Sequence, residues 1–458
     1  MKYSMVFAAA AATVAQADCT NENGNFFCKA VKALQYEGID LGGNYKAVTS
    51  MTADGKCDFS DVAFSGSIAP FDEDLSIHIR GPATVEKMAV YTPKTNSKRD
   101  AAPVPHTKRH GHQHLHKKFH EHQHEERAVG DKVDAVINGQ AVSWTNTWDG
   151  KSGDNKPAAA ASPPAAPAVN AASTYVKSEN PASKVDVPKV DSKLASSKIA
   201  APKKADTSSV ATGDYARVGY YDATSNQATG LTFTGNYGGS GSGSGVWDTT
   251  WGNSLSYLNE DATGGAPSPT VLKGGKIPDG SEIAIFSDKA CTDSGASCGF
   301  YRPGTVAYEG FKGADKVFTF KVTMPKTGAT GFNKDMPAIW LLNGKIPRTG
   351  QYHDCSCWKS GCGEFDLIET LASGDSKCKS TFHYTNSIGN SDYLQRPELG
   401  FVNYAVIFSK AHASASIKIL DDDFDHSAGL TADQVEKMIV DDAKTPGGVS
   451  KMAIPANV

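Results

Sequence analysis

Along much of the chain, apolar and polar residues alternate over short stretches that end in glycine, aspartate, asparagine or serine. Leu75-Ser-Ile-His-Ile-Arg80 and Lys316-Val-Phe-Thr-Phe-Lys-Val-Thr-Met324 alternate as strands with two unlike faces do. Tyr404-Ala-Val-Ile-Phe408 and Ile417-Lys-Ile-Leu420 are further short apolar segments, separated by a turn-rich gap. Gly42-Gly43 and Asp54-Gly55 supply turns, and Asn138-Gly139 between apolar residues predicts a hairpin. Helical spacing occurs only over Thr431 to Asp441. Many short strands from Tyr215 onward predict an all-β sandwich or jelly roll.

The pattern also divides the chain. Residues 1–17 read as a secretory signal: Lys2, an alanine-rich apolar run from Met5 to Val14, and a small-x-small site at Ala15-Gln16-Ala17. That run is shorter than the ~20 residues a membrane span needs. Residues 18–92 are expected to form a small β-rich N-terminal module. Residues 93–212 are expected to be a linker. It begins with dibasic pairs, Lys98-Arg99 and Lys108-Arg109, and eight of the 13 histidines, from His106 to His124. Those histidines are read as a solvated, pH-sensitive stretch; a metal-handling role for them is the competing reading. Beyond them, the segment rich in Ala, Pro, Ser and Lys has few large apolar residues to offset the entropy of ordering. Residues 213–458 carry the sandwich.

Composition agrees with a chain that is only partly packed: 39% of residues are hydrophobic, against about 45–50% in globular chains. A formal net charge of -4 argues against nucleic acid or an anionic membrane as partner. The end of the chain, Ile454-Pro-Ala-Asn-Val458, has no hydrophobic tail, so no GPI anchor is expected. The expected product is secreted, extracellular or wall-associated, and monomeric, with no cofactor and no metal.

The nine cysteines suit an oxidising compartment. Cys19, Cys28 and Cys57 form an odd N-terminal set, leaving one thiol free or bridged elsewhere. Cys291, Cys298, Cys355, Cys357, Cys362 and Cys378 form an even set able to close on itself, with Cys291 and Cys298 near enough for a local bridge. The other four allow three connectivities.

The most informative segment is Gly363-Glu-Phe-Asp-Leu-Ile-Glu-Thr370. In a strand, Glu364 and Asp366 share a face, while Glu369 falls on the other. One β-bulge between Asp366 and Glu369 returns the third acid to the first face and leaves Phe365 towards the core. Three acids so placed can do glycoside hydrolysis. In the retaining form, two carboxyls stand about 5–5.5 Å apart as nucleophile and acid/base. Like charges this close cannot all ionise easily, so a proton is retained near neutral pH.

The context of these acids carries a resemblance. Met336-Pro-Ala-Ile-Trp-Leu-Leu342, the Gly363 to Glu369 run, and Thr381-Phe-His-Tyr384 together resemble family 16 glycoside hydrolases. The whole chain resembles the fungal TOS-type cell-wall proteins. Their N-terminal domain is similar to the stretch from Cys57 through Arg80-Gly-Pro82 to Ala89-Val-Tyr91. The resemblance implies a concanavalin-like jelly roll acting on β-1,3-glucan. It implies Glu364 as nucleophile, Asp366 as its tuning partner, Glu369 as acid/base, and His383 lining the groove. Trp340 is expected in the core or as a subsite floor, and Trp247, Trp251 and Trp358 as candidate sugar-stacking residues. Two departures stand out. A cysteine-bearing insertion, Cys355 to Cys362, directly precedes the acids, and little chain remains after His383 for the closing strands. Early strands, including Trp247 to Trp251, are therefore expected to complete the sandwich. An endo-1,3-β-glucanase is the leading reading. A glucan transglycosidase using the same acids and a non-catalytic glucan-binding wall protein are the alternatives.

Overall fold

The computed structural model describes residues 19–22, 25–94, 132–137, 140–145, 213–240, 243–292, 297–385, 387–439 and 448–455. The signal segment, the histidine cluster and the Ala/Pro/Ser-rich stretch lie outside them. Residues 1–97 and 202–458 make one compact unit, and residues 98–201 a second. In the second, Lys132–Ile137 pairs antiparallel with Gln140–Thr145, Ile137 opposite Gln140, so the expected hairpin is present.

The first unit is the expected all-β sandwich of two stacked sheets. The front sheet has 11 strands. Its central run is Leu231–Gly235, Glu282–Ser287, Leu75–Arg80, Ala338–Asn343, Glu364–Thr370 and Lys377–His383, all antiparallel. The back sheet has nine strands. Tyr215–Asp222, Ala83–Pro93, Lys316–Thr323, Val402–Ser409, Ser414–Ile419 and Ala33–Glu37 follow one another across it.

This order corrects the expected division into a small module and a self-contained C-terminal sandwich. Leu75–Arg80 lies between two strands from beyond residue 280, and Ala83–Pro93 between two strands from beyond residue 214. Strands from before the linker complete the sandwich together with the early strands Tyr215–Asp222, Leu231–Gly235 and Ser256–Leu258. Trp247-Asp248 forms only a two-residue ladder with Gly252-Asn253, outside both sheets. Central placement also changes the meaning of the alternation at residues 75–80. Leu75, Ile77 and Ile79 enter the core between the sheets, whereas Ser76 and His78, on the other face, are buried too.

The core is apolar and rich in rings. Phe365 packs edge-on against Tyr36 and Phe382, with centroids 5.1 Å apart in each case, and Phe71 lies 4.1 Å from Phe382. On the back sheet a register shift opposite Lys321 and Val322 lets both Val85 and Met88 point inward, although they are three residues apart. The expected helix is Ala432–Met438, started by a capping box between Thr431 and Gln434. Its Val435 and Met438 cover Ala89, Tyr91, Val317 and Ile407 on the outer side of the back sheet.

Cys19–Cys28 and Cys291–Cys298 are local bridges, and Cys357–Cys362 closes the insertion. The C-terminal set does not close on itself. Cys57 crosses 298 residues to Cys355, and the odd thiol is Cys378, buried in the core. Sequence proximity favours local pairs, but the interleaved sheets bring residue 57 beside the insertion.

Candidate active site

The acid strand starts at a glycine for steric reasons. Gly363 has φ 113°, and a Cβ there would stand 3.2 Å from the Phe71 ring. From Glu364 to Asp366 the strand pairs residue for residue with His383 to Thr381. Glu369 then pairs with Lys379, so three steps on one strand match two on the other. The neighbouring strand shows the same slip, with Trp340 opposite Asp366 and Ile339 opposite Ile368. This is the expected bulge. Phe365, Leu367 and Ile368 go to the core, and Glu364, Asp366 and Glu369 line one cleft.

The cleft has a volume of about 550 Å³. At one end Glu364 accepts two hydrogen bonds, from Tyr352 Oη (3.0 Å) and from Trp358 Nε1. Trp340 Nε1 donates to the same Tyr352 oxygen at 3.0 Å. Trp358 sits on the insertion and Tyr352 three residues before it, and the insertion is tied to the Asp40–Met51 and Cys57–Ser67 hairpin. Cys57–Cys355 makes one tie, and Lys46 N–H donating to Ser360 Oγ at 2.9 Å makes another. Tyr45, Ala47, Val62 and Phe64 of the hairpin pack with Trp340, Tyr352 and Trp358.

In the middle, Asp366 Oδ2 lies 2.8 Å from His383 Nε2, whose Nδ1 lies 2.7 Å from Ser387 Oγ. At the other end Arg80 Nη2 donates to Glu369 Oε1 at 3.1 Å, and Arg80 Nε donates to the Met336 carbonyl at 2.6 Å. Beside the acids, Gln351 Nε2 donates to Glu282 at 3.0 Å, and Asn236 Nδ2 donates to Gln351 at 2.6 Å.

Burial and the nearby Asp366 charge push Glu364 up to about 8, against the pull of the Trp358 and Tyr352 donors. The same two causes push Glu369 up to about 7, opposed by Arg80. Burial works against a charged His383, but its hydrogen bond to Asp366 and the three carboxylates outweigh this and raise its pKa. The group therefore holds protons near neutral pH, and they belong to the coupled set. One ligand atom from each of Glu364, Asp366 and His383 falls within 4.8 Å of the others. Hydrogen bonds from Tyr352, Trp358 and His383 already engage the two carboxylates of that set.

Of the residues singled out from sequence, Glu364, Asp366, Glu369, His383, Trp340 and Trp358 line the cleft. Trp340 is both floor and core, only 5% exposed and stacked 5.3 Å from His78. Trp247 and Trp251 do not line it. Trp247 is 56% exposed, and Trp251 Nε1 donates to the Thr52 carbonyl at the hairpin tip. Sequence reading missed Arg80, Tyr352, Glu282, Gln351 and Asn236. Arg80 ends a strictly alternating strand, which marks a face but not what the face looks onto, and Glu282 begins a strand, Glu282–Ser287, with no alternation to mark one.

Comparison with known proteins agrees with this architecture. Residues 213–438 match the family model described as "Cell wall protein YJL171C/Tos1, C-terminal", and residues 32–93 match its N-terminal counterpart. A protein of Arthroderma benhamiae named "Probable circularly permuted 1,3-beta-glucanase" is 43% identical over 97% of this chain and 98% of its own length. The chain belongs to this family of fungal cell-wall proteins. A TOS1 protein of Saccharomyces cerevisiae, given the same description, is 38% identical over 93% of this chain and 94% of its own length. Its Candida albicans counterpart is 38% identical over 91% and 92%. No solved structure matches the chain. No helix among the described residues is long and apolar enough to cross a membrane.

Proposed function

We propose that this chain is a secreted retaining glycoside hydrolase that cuts cell-wall β-1,3-glucan internally. The observation that carries the reading is the bulge. It sets Glu364 and Glu369 on one face of one strand, either side of Asp366, in a cleft large enough for sugar. The relatives' names supply the linkage, and the N-terminal signal pattern and disulfides support export.

Glu364 attacks the anomeric carbon while Glu369 gives its proton to the departing glycosidic oxygen. Glu369 then takes a proton from water, or from a sugar hydroxyl in transfer, as the second nucleophile releases the glycosyl group from Glu364. Two donors on Glu364 suit the ionised form a nucleophile needs. The coupled set nevertheless holds its proton more tightly on Glu364, pushed up to about 8, than on Glu369, at about 7, so the assignment of roles follows motif position rather than these shifts. Asp366, held by His383, lies between the glutamates, and the closeness of the three carboxyls favours retention of the acid's proton. Tyr352, Trp358 and Arg80 act as positioning residues.

The test uses the mature chain, from residue 18 onward, on a linear β-1,3-glucan, following reducing ends and product sizes. Wild type should release short oligomers, and Glu364→Gln and Glu369→Gln should each lose about 10²-fold or more. An aryl glycoside with a good leaving group should give Glu369→Gln fast first release of the aryl group, since that step then needs no acid. Its turnover should be restored only when azide, a nucleophile that needs no base, is added; Glu364→Gln should stay inactive under both conditions. Product sizes that shift without new reducing ends mean transfer. A folded wild type that binds glucan and turns over none of it rejects the enzyme reading.

A further inference from the structure

The cleft carries one large apolar side chain that nothing in the fold requires to be there. Phe332 is 92% exposed and lines the cleft with the three acids. A lone exposed apolar residue is ordinary on a protein surface. Leu399 is exposed as fully, but it does not line the cleft. Phe332 differs in where it stands and in how firmly its loop is held.

The loop from Met324 to Pro337 is braced by two residues outside it, Asp279 and Arg396, and by one bond across its own base. Asp279 accepts from Thr327 Oγ1 (2.6 Å) and from Asp335 N–H (2.8 Å), and its carbonyl accepts from Lys334 Nζ (2.8 Å). Arg396, fully buried, donates to Asp335 Oδ1 at 2.6 Å and to the carbonyls of Met324 and Pro325 at 2.8 Å. Asp335 Oδ2 accepts from Gly328 N–H at 3.0 Å. Asn333, next to Phe332 and also lining the cleft, is in the left-handed region at φ 58°. These hydrogen bonds fix both arms of the loop, Met324 to Gly328 and Lys334 to Asp335, so its tip holds an exposed apolar ring at the cleft, where a flat partner can meet it.

The loop also fixes which end of the cleft the ring serves. It runs directly into Ala338, which pairs with Glu369 on one side and Arg80 on the other. Met336, four residues after Phe332, supplies the carbonyl that Arg80 Nε grips. Phe332 therefore borders the Glu369 end, while Trp358 and Tyr352 border the Glu364 end. An acid/base acts where the leaving group departs and where the acceptor later arrives.

We propose that Phe332 is a stacking platform for the glucose unit on the leaving-group side of the scissile bond, with Asn333 beside it as a polar contact. The ligand class is a β-glucan, whose pyranose C–H face suits an aromatic ring. The inference rests on the glycosidase reading for its placement. It concerns binding, however, and is tested separately from turnover.

Two measurements test it on the mature chain. In the first, the Glu364→Gln chain and its Phe332→Ala double variant are titrated with a β-1,3-gluco-oligosaccharide by calorimetry. Phe332→Ala should weaken binding by about fivefold to tenfold, and Phe332→Tyr should restore it. Unchanged affinity, or no oligosaccharide binding by Glu364→Gln, overturns the platform even if wild-type turnover stands. In the second, Phe332→Ala in the otherwise native chain should raise KM on long glucan several-fold. The loss on a β-glucosyl fluoride of the same glycone, whose leaving group is a single atom with no face to stack, should be clearly smaller than the loss on long glucan. Equal losses on both substrates overturn the assignment to the leaving-group side. A wild type that never turns over glucan, yet binds it in a Phe332-dependent way, would end the glycosidase reading and leave the platform standing.

Discussion

The two ends of the cleft hold their glutamates by different means. Glu364 is gripped by neutral donors, Trp358 on an insertion stapled by two disulfides and Tyr352 just before it. Glu369 is gripped by a guanidinium, Arg80, on a strand in the middle of the front sheet. The Glu364 end is built by a covalently fastened loop, and the Glu369 end by the scaffold itself. Yet both depend on chain that precedes the linker, because Cys57 anchors the insertion and Arg80 is the cation. Residues beyond 213 carry the acids, and residues before 94 hold them in place.

The most severe way to break this arrangement is to separate the two segments. Residues 213–458 alone would lose Leu75–Arg80 and Ala83–Pro93, exposing new edges in both sheets and emptying the core of Ile77, Ile79, Val85, Met88 and Val90. Each such side chain is worth about 1.5–3 kcal/mol on burial, and whole-domain stability is only about 5–15 kcal/mol. The fragment should therefore be unfolded or aggregated by circular dichroism and size exclusion, with no glucan turnover. Co-expression with residues 18–97 should recover folded protein. A soluble fragment with a cooperative melt would show that the segments are independent after all.

How much of this was open to sequence reading follows from the range of each interaction. The acid strand was legible because its signal is local: spacing of acids and apolar residues over Glu364 to Glu369 demands a bulge, and the bulge is there. Strand character at Leu75–Arg80 was equally local and equally visible. Its place in the sheet was not, since its partners begin at Glu282 and Ala338, and nothing in an alternating hexapeptide names them. Arg80 and Glu369 are 289 residues apart. The disulfide between Cys57 and Cys355 escaped for the same reason, and with it the fact that Cys378 is the odd thiol. Trp247 and Trp251 were chosen for their chemistry alone, and chemistry without position does not put a ring in a cleft.

A smaller effect comes from unfastening only the Glu364 end. The double substitution Cys57→Ser and Cys355→Ser removes the tie between hairpin and insertion while leaving both sheets and Arg80 intact. Loss of such a bridge costs about 2–4 kcal/mol, so the chain should still fold with a lowered melting temperature. Because Trp358 reaches Glu364 from that loop and Tyr352 from just before it, kcat should fall about tenfold or more, the scale of one misplaced positioning contact. Rates on long glucan and on an aryl glycoside should fall together. An unchanged kcat would mean that Cys357–Cys362 and the Tyr45 to Phe64 packing hold the loop unaided.

The finest test acts at the Glu369 end and is read in pH. Arg80 lowers the Glu369 pKa against burial and the Asp366 charge, which together leave it near 7. Arg80→Gln removes that opposition, so Glu369 keeps its proton to higher pH. Activity is lost on the alkaline side when the acid loses its proton, so that limb of the kcat profile should move to higher pH. The acid limb, which belongs to the coupled carboxylates together, should move less. Stability carries the same sign. The folded chain binds this proton more tightly than the unfolded one does, so this group's contribution to stability is fully present below the ordinary carboxylate range and is lost as pH rises to about 7. Gln at position 80 should extend that fall to higher pH. Arg80→Lys keeps the charge but not the fork onto the Met336 carbonyl, and should give an intermediate limb. A limb that moved to lower pH would mean that Arg80 acts on a different carboxylate, and the contrast between the two ends of the cleft would have to be redrawn.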